Sequence, residues 1–383
     1  FYIVYELSWE QQMKIVIFAN SSFNVVNYRK KLIQELMERK HEVHLIVPRD
    51  QNFSKLRSHF TNQIHSIPLS PKGINPIWEI FSFFHILKTI KSIAPDIIIN
   101  FTIKCTIYGS LAAHIARVQS IYSVITGLGS VFSKYSTYSI FLKIFIKPFY
   151  RMALTKNRKV FFQNKDDQRL FEKLSMVDLK QCEIVAGSGV DTAFFSRISK
   201  KNRIPNSFIM VSRIIWEKGV REYIQAAMKI KNEYPDAVFS LMGPLESDSL
   251  ELPRNELSKW IDSSAINYIP SSSKVKEQLD VHKFFIFPSF YREGIPRAIL
   301  EAMSMEMPII TTDNPGCRET VVNGANGFLI PVQNAQKLES KMRELLNSSP
   351  DLIRQFGKMS RRICKEKFDV RKVNSQMING MGL

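Results

Sequence analysis

The stretch Phe287-Pro-Ser-Phe-Tyr-Arg-Glu-Gly-Ile-Pro-Arg-Ala-Ile-Leu-Glu-Ala-Met303 reads as a strand, a loop and a helix in immediate succession. The apolar run before it ends near Pro288, and Pro296 suits the first position of a helix, where a missing N–H is no loss. Gly294 lets a ligand approach the backbone closely. The free amides around Ile295–Ala298 can cradle a phosphate at the helix N-terminus. Glu293 precedes that anion site and Glu301 lies about a turn and a half beyond it. Two carboxylates so placed can accept hydrogen bonds from sugar and ribose hydroxyls on either side of a diphosphate.

Upstream, Ser207-Phe-Ile-Met-Val211 reads as the first strand of the same half, with Arg213 at its carboxyl end and Lys218 just before the next helix. Two cations there can neutralise a diphosphate without metal. Strands over 237–242, 266–269, 284–288 and 308–312 alternate with helical patterns over 220–234, 274–279, 297–305 and 335–346. The first half repeats the alternation, with strands over 14–19, 42–47, 96–101, 121–125 and 160–163. Its helical patterns cover 25–40, 77–93, 106–117, 138–154 and 167–174. Such alternation predicts βαβ units and parallel sheets. The fold class is therefore α/β: two doubly wound halves face a cleft, with ligands outside the carboxyl ends of the strands. The Gly, Ser, Lys and Pro of 187–206 read as the linker. The expected domains are 1–190, 191–365 and a C-terminal helix over 366–383 that returns to the first domain. Met13 opens the first strand, and 1–12 reads as an upstream extension.

The net charge of the 383 residues is +18, and it is uneven. No acid lies between Asp96 and Asp166, whereas ten basic residues do. A block like that meets something anionic. Lys143, Lys147 and Arg151 fall four apart on one face of a helix if that helix runs through Pro148, among aromatic and aliphatic residues. The segment 77–88 is a second aromatic-rich stretch. A basic amphipathic helix suits a membrane surface, so an anionic inner-leaflet surface is the expected partner. Nucleic acid is not expected, since no helix-turn-helix, zinc finger or RNP-like run occurs. The four cysteines form no C-x-x-C pair, which fits a reducing cytoplasm. No apolar run is long enough to span a bilayer. Walker, dinucleotide-fingerprint and zincin motifs are absent, and so is any Asp-x-Asp, so no metal and no cofactor is expected. None of the seven histidines falls in a motif.

The set Gly187-Ser-Gly-Val-Asp191, Val211-Ser-Arg213, Lys218-Gly219, Met242-Gly243-Pro244, Glu293-x7-Glu301 and Asn323-Gly-Ala-Asn-Gly-Phe328 resembles the retaining glycosyltransferases of family 4, which have the GT-B fold. The likeness covers nearly the whole chain from Met13. The first half, with Thr126-Gly-Leu-Gly-Ser130, is similar to the bacterial branch that extends undecaprenyl-diphosphate-linked sugars. The resemblance implies a peripheral enzyme at the cytoplasmic membrane that moves a sugar from a UDP-sugar to a lipid-linked saccharide. It assigns Arg213 and Lys218 to the donor diphosphate, with Glu293 on the donor sugar and Glu301 on the ribose. Gly294, Ile295 and Pro296 would touch sugar and phosphate, and Gly243, Tyr268 and Pro270 would lie about the base. Asn20, Ser21 and Ser22, with Thr126, Gly127 and Gly129, would close on phosphates and acceptor. The chain departs from many relatives in having Asn20-Ser21-Ser22 in place of a glycine pair, and from some in having Thr126 in place of a histidine. A non-catalytic GT-B scaffold in a polysaccharide assembly complex and a GT-B nucleotide-sugar epimerase are the alternatives.

Overall fold

The computed structural model describes residues 12–60, 63–70, 73, 75–129, 138–197, 203–245, 259–260, 265–270 and 274–383, with the backbone alone over 138–145. The upstream segment 1–11 and Ser130 therefore lie outside the described residues. The chain builds two parallel sheets. The first contains β1 (Lys14–Phe18), β2 (Glu42–Pro48), β3 (Ile64–Ile67), β4 (Ile97–Phe101), β5 (Ser120–Ile125), β6 (Lys159–Phe162) and β7 (Cys182–Ile184), in the order β3-β2-β1-β4-β5-β6-β7. The second contains β8 (Ser207–Val211), β9 (Val238–Gly243), β10 (Asn267–Pro270), β11 (Phe284–Phe287), β12 (Ile309–Thr312) and β13 (Gly327–Ile330), in the order β10-β9-β8-β11-β12-β13.

Parallel strands covered on both faces read as continuous apolar runs. β4 (Ile-Ile-Ile-Asn-Phe) and β11 (Phe-Phe-Ile-Phe) obey this, with every residue buried. Each buried Ile or Phe of these strands stabilises the fold by about 1.5–3 kcal/mol relative to exposure. The strand order reverses between β1 and β4 in the first sheet and between β8 and β11 in the second. Each reversal opens a crevice beyond the strand ends, the usual ligand position in such sheets.

Two features of the helices position the site. Ser21 caps the segment after β1 by accepting from the Asn24 amide at 3.1 Å, and residues Val25–Arg29 then form one turn of π-helix before the α-helix Lys30–Glu38. At the other end, the helix Val370–Met381 packs on the first core, and the Tyr122 hydroxyl donates to the Met381 carbonyl at 2.8 Å. The first described strand and this last helix thus belong to the same half.

Candidate active site at the seam of the two sheets

β8 ends at Val211, and a single 3₁₀ turn, Trp216–Lys218, leads through Gly219 into the helix Val220–Glu233. That turn is stitched to the loop after β11, because the amides of Phe290 and Tyr291 both donate to the Glu217 carbonyl at 2.9 Å. The stitching buries Lys218, which is 8% exposed, and brings its ammonium onto Glu293 Oε1. The Ser289 hydroxyl donates to the same oxygen at 3.2 Å. An ammonium has three donors, so contact with Glu293 leaves two for an oxyanion. The Tyr291 ring lies beneath both predicted cations, 4.8 Å from Lys218 Nζ and 5.6 Å from the Arg213 guanidinium carbon. Cation–ring contacts contribute about 0.5–2 kcal/mol each. Tyr291 therefore fixes where the positive charge sits, a role that no motif announces.

The helix after this loop starts one residue later than expected: Pro296 is the cap and Arg297–Ser304 the helix, because extended Pro296 offers its carbonyl to the Ile299 and Leu300 amides. The anion cradle is also narrower. The Ile295 amide donates to Gln163 Oε1 at 3.3 Å, which leaves Arg297 and Ala298 as the first-turn amides. Glu301 accepts from Arg297 Nε at 2.9 Å. Burial pushes the Glu301 carboxyl above its usual range, and Arg297 opposes that rise. Arg297 also donates to the Asn27 carbonyl and stacks over Tyr28 at 5.4 Å, so it reaches from the second sheet to the π-helical turn of the first.

Most of the first half's contribution is a seam. Gly127 pairs in antiparallel fashion with Glu293, and the Gly129 amide donates to the Arg292 carbonyl at 3.0 Å. The Asn164 side-chain amide donates to the carbonyls of Glu293 and Gly294 at 3.2 and 3.1 Å. Gly294 is required here, since a Cβ on it would come within 2.0 Å of Gln163 Oε1 and 2.6 Å of the Thr126 carbonyl. Two ion pairs lock the seam: Arg292 with Asp167 at 2.7 Å and Arg318 with Asp166 at 3.0 Å. Burial raises the Asp167 carboxyl to about 6, although Arg292 opposes it. Gly127 and Gly129 thus meet the donor loop's backbone itself, and Thr126 adds its carbonyl against Gly294.

The first loop differs from its expected role. Ser22 is wholly buried, its amide donating to Asp50 at 2.7 Å, and Ser21 is occupied as a helix cap. The serines close a helix start where a glycine pair would leave bare backbone, so Ser22 is enclosed and Ser21 keeps only its hydroxyl hydrogen as a side-chain donor. Asn20 stays half-buried at the end of β1. Gly243 approaches the Ser212 carbonyl beside Arg213, and the Tyr268 hydroxyl donates to the Gly243 carbonyl at 3.1 Å. Tyr268 and Pro270 sit on the edge strand β10, separated from β11 by β9 and β8. The helix Tyr138–Leu154 does run through Pro148; Arg151 on it is exposed and Lys147 half-buried, and the Lys143 side chain lies outside the described residues. Motif reading passes over Gln163, Asn164, Asp166, Asp167, Arg292, Arg297 and Arg318. The acidic pair that ends the acid-free block was the one available signal.

Two families match the chain, one in each half. Residues 14–164 match the family described as glycosyl transferase 4-like, and residues 191–363 match glycosyl transferases group 1. The chain is 26% identical over 346 residues to the Campylobacter jejuni N,N'-diacetylbacillosaminyl-diphospho-undecaprenol alpha-1,3-N-acetylgalactosaminyltransferase, covering 87% of this chain and 89% of that protein. It is 25% identical over 302 residues to the Escherichia coli UDP-Gal:alpha-D-GlcNAc-diphosphoundecaprenol alpha-1,3-galactosyltransferase, covering 75% of each. Among solved structures, Anabaena HepE in complex with UDP and glucose superimposes with a TM-score of 0.78 at 16% identity, over 97% of this chain and all of that one.

Proposed function

We propose, starting from a chain that belongs to the GT-B glycosyltransferases and joins a 4-like segment to a group 1 segment, that it transfers a sugar from a UDP-sugar to an undecaprenyl-diphosphate-linked saccharide, with retention and without a metal. N-acetylhexosamine is the proposed sugar class, in keeping with the N-acetylgalactosaminyltransferase relative. The observation that carries the reading is the Lys218–Glu293–Ser289 cluster beside the N-terminus of helix Arg297–Ser304. Lys218 and Arg213 face the diphosphate as it departs. Preorganised cations aimed at developing charge are the largest single contribution to many enzymes' rates. Glu293 orients the donor sugar, and Glu301, held by Arg297, takes the ribose diol. The acceptor hydroxyl forms the new bond to the anomeric carbon as the bond to the diphosphate breaks, and its proton passes to the departing phosphate oxygen.

The test is incubation with UDP-sugars and a synthetic polyprenyl-diphosphate saccharide in excess EDTA, with the anomeric configuration of the product read by NMR. The expected product is α-linked and forms at the rate seen without EDTA. A β-linked product, a loss restored only by divalent metal, or donor turnover with no acceptor requirement would sink the reading.

The same acceptor places this chain at the inner leaflet. The helices Pro76–Ile93, Ile103–Ile115 and Tyr138–Leu154 pack side by side. They expose Trp78, Phe81, Phe84, Phe149 and Met152, each about half accessible or more. Arg151 and Lys147 stand with them, and each cation near an anionic leaflet contributes about 1 kcal/mol. Among the described residues no helix is long and apolar enough to cross a membrane. Replacing Lys147 and Arg151 with Ser should remove the salt-sensitive part of binding to phosphatidylserine vesicles. Unchanged binding by the folded double variant would refute the docking face.

A further inference from the structure

Among the described residues Arg29 is an interior guanidinium that the transfer reaction and the seam leave unexplained. It is 4% exposed, and its Nε has no hydrogen-bond partner among the described residues. Its guanidinium lies 4.0 Å over the ring of Phe101, the last residue of β4. Among the described residues, the charged and titratable groups that act on it are another cation, Arg297, and the phenol of Tyr28, which burial keeps protonated. Other enclosed arginines among the described residues have charged or carbonyl partners, although Nε of Arg203 is likewise unpartnered. Arg292 is paired with Asp167, and Arg361 donates to the Phe195 carbonyl at 2.7 Å. Arg203 donates to the Glu306 carbonyl at 2.8 Å. A charge enclosed without a counter-charge costs several kcal/mol, so something must offset it.

Its position says what. Arg29 follows β1 and stacks on the end of β4, which places it in the crevice where the first sheet reverses its strand order. Lys218 occupies the matching place in the second sheet, following β8 and meeting Glu293 from the loop after β11. One crevice supplies its own carboxylate, and the other offers a ring. The turn that delivers Arg29 is π-helical, an insertion often found at functional sites, and it carries the Asn27 carbonyl that Arg297 reaches from the donor side.

We propose that Arg29 binds a phosphate oxyanion of the lipid-linked acceptor in the crevice between β1 and β4. The proposal rests on the transferase reading for the identity of the anion. A guanidinium suits that ligand because its forked donors match phosphate oxygens bidentately and it keeps its charge when enclosed. The Phe101 ring backs the guanidinium at 4.0 Å, and its forked donors are what an oxyanion meets.

The test pairs Arg29→Met, which keeps volume and removes charge, with Arg29→Lys. Under steady-state turnover, Arg29→Met should raise the acceptor KM at least tenfold with donor KM unchanged, and Arg29→Lys should fall between it and wild type. Arg29→Met should also melt no lower than wild type, since it removes an uncompensated enclosed charge. A second measurement needs no turnover: calorimetry of inorganic pyrophosphate binding to the full chain saturated with UDP. Wild type should bind and Arg29→Met should not. A folded Arg29→Met with acceptor KM within twofold of wild type, or a rise in donor KM in place of acceptor KM, overturns the proposal. So does equal pyrophosphate binding by the two proteins. If wild type binds pyrophosphate through Arg29 yet transfers no sugar, the transferase reading fails and the oxyanion site stands.

Discussion

The two crevices of this molecule are built alike and finished differently. Each lies where a parallel sheet reverses its strand order, and each receives a cation from the segment after the sheet's first strand. In the second sheet Lys218 meets Glu293, which Ser289 steadies at 3.2 Å, and Tyr291 backs the ammonium at 4.8 Å. In the first sheet Arg29 meets the Phe101 ring at 4.0 Å and, among the described residues, no acid. A crevice that balances its own charge can hold its geometry and lend spare donors to a leaving group. A crevice with charge left over is matched to a ligand that brings the opposite sign. The contrast divides the labour expected of a transferase: the second half manages the charge of the departing diphosphate, and the first half is matched to an anionic acceptor.

Lys218→Ala should break the balanced crevice most severely. Loss of a preorganised cation that meets developing charge lowers kcat by roughly 10²–10³-fold, with donor affinity falling less. It should also lower the melting temperature, because Glu293 is then an enclosed carboxylate without its partner, a change that costs as much as about 3–5 kcal/mol in a buried pair. Arg29→Met is expected to do neither of these things to stability. Measured side by side, kcat and melting curves of the two variants either separate the crevices or merge them. A folded Lys218→Ala enzyme with near wild-type kcat would show that the charge sits elsewhere, and the scaffold alternative would gain.

The second crevice was far more legible in the sequence than the first, and the reason is chain distance. Glu293, Gly294, Pro296 and Glu301 lie within nine residues on one strand-loop-helix, so their spacing alone fixes their relation. The seam brings Gln163 to Ile295 and Asp167 to Arg292, pairs more than a hundred residues apart that no local pattern connects. Sheet topology made the same distinction among strands. The interior strands β1, β2, β4, β5, β6, β8, β9, β11 and β12 all announce themselves as apolar runs. Of the four edge strands, β10 matches the expected strand over 266–269, whereas β3, β7 and β13 do not announce themselves, because an edge is short and half-paired and carries residues such as His65, Glu183 and Gly327. The first loop carries a second signal beside the resemblance: Ser and Asn before a helix are cap residues, and the structure uses Ser21 that way.

The smallest expected effect probes the seam that holds the two crevices together. Asp167 is fully buried, accepts from Arg292 at 2.7 Å and from Asn164 at 3.1 Å, and its carboxyl is raised to about 6, chiefly by burial and further by neighbouring Asp166. An unfolded aspartate titrates near ~3.9. Between those two values the folded chain binds the proton and the unfolded chain has lost it. Stability therefore falls as pH rises from about 4 to about 6, and it levels off above. Asp167→Asn removes that titration while keeping an acceptor for Arg292, and Asn164 retains the Glu293 and Gly294 carbonyls as partners. The variant's melting temperature should therefore gain on wild type by a few degrees between pH 4 and pH 6 and track it in parallel from pH 6 to pH 8. A difference that is flat across pH 4–6, or that moves the other way, would mean that the ion pair with Arg292 outweighs the burial of the carboxylate, so that Asp167 is an ionised anchor of the seam at every pH the enzyme meets.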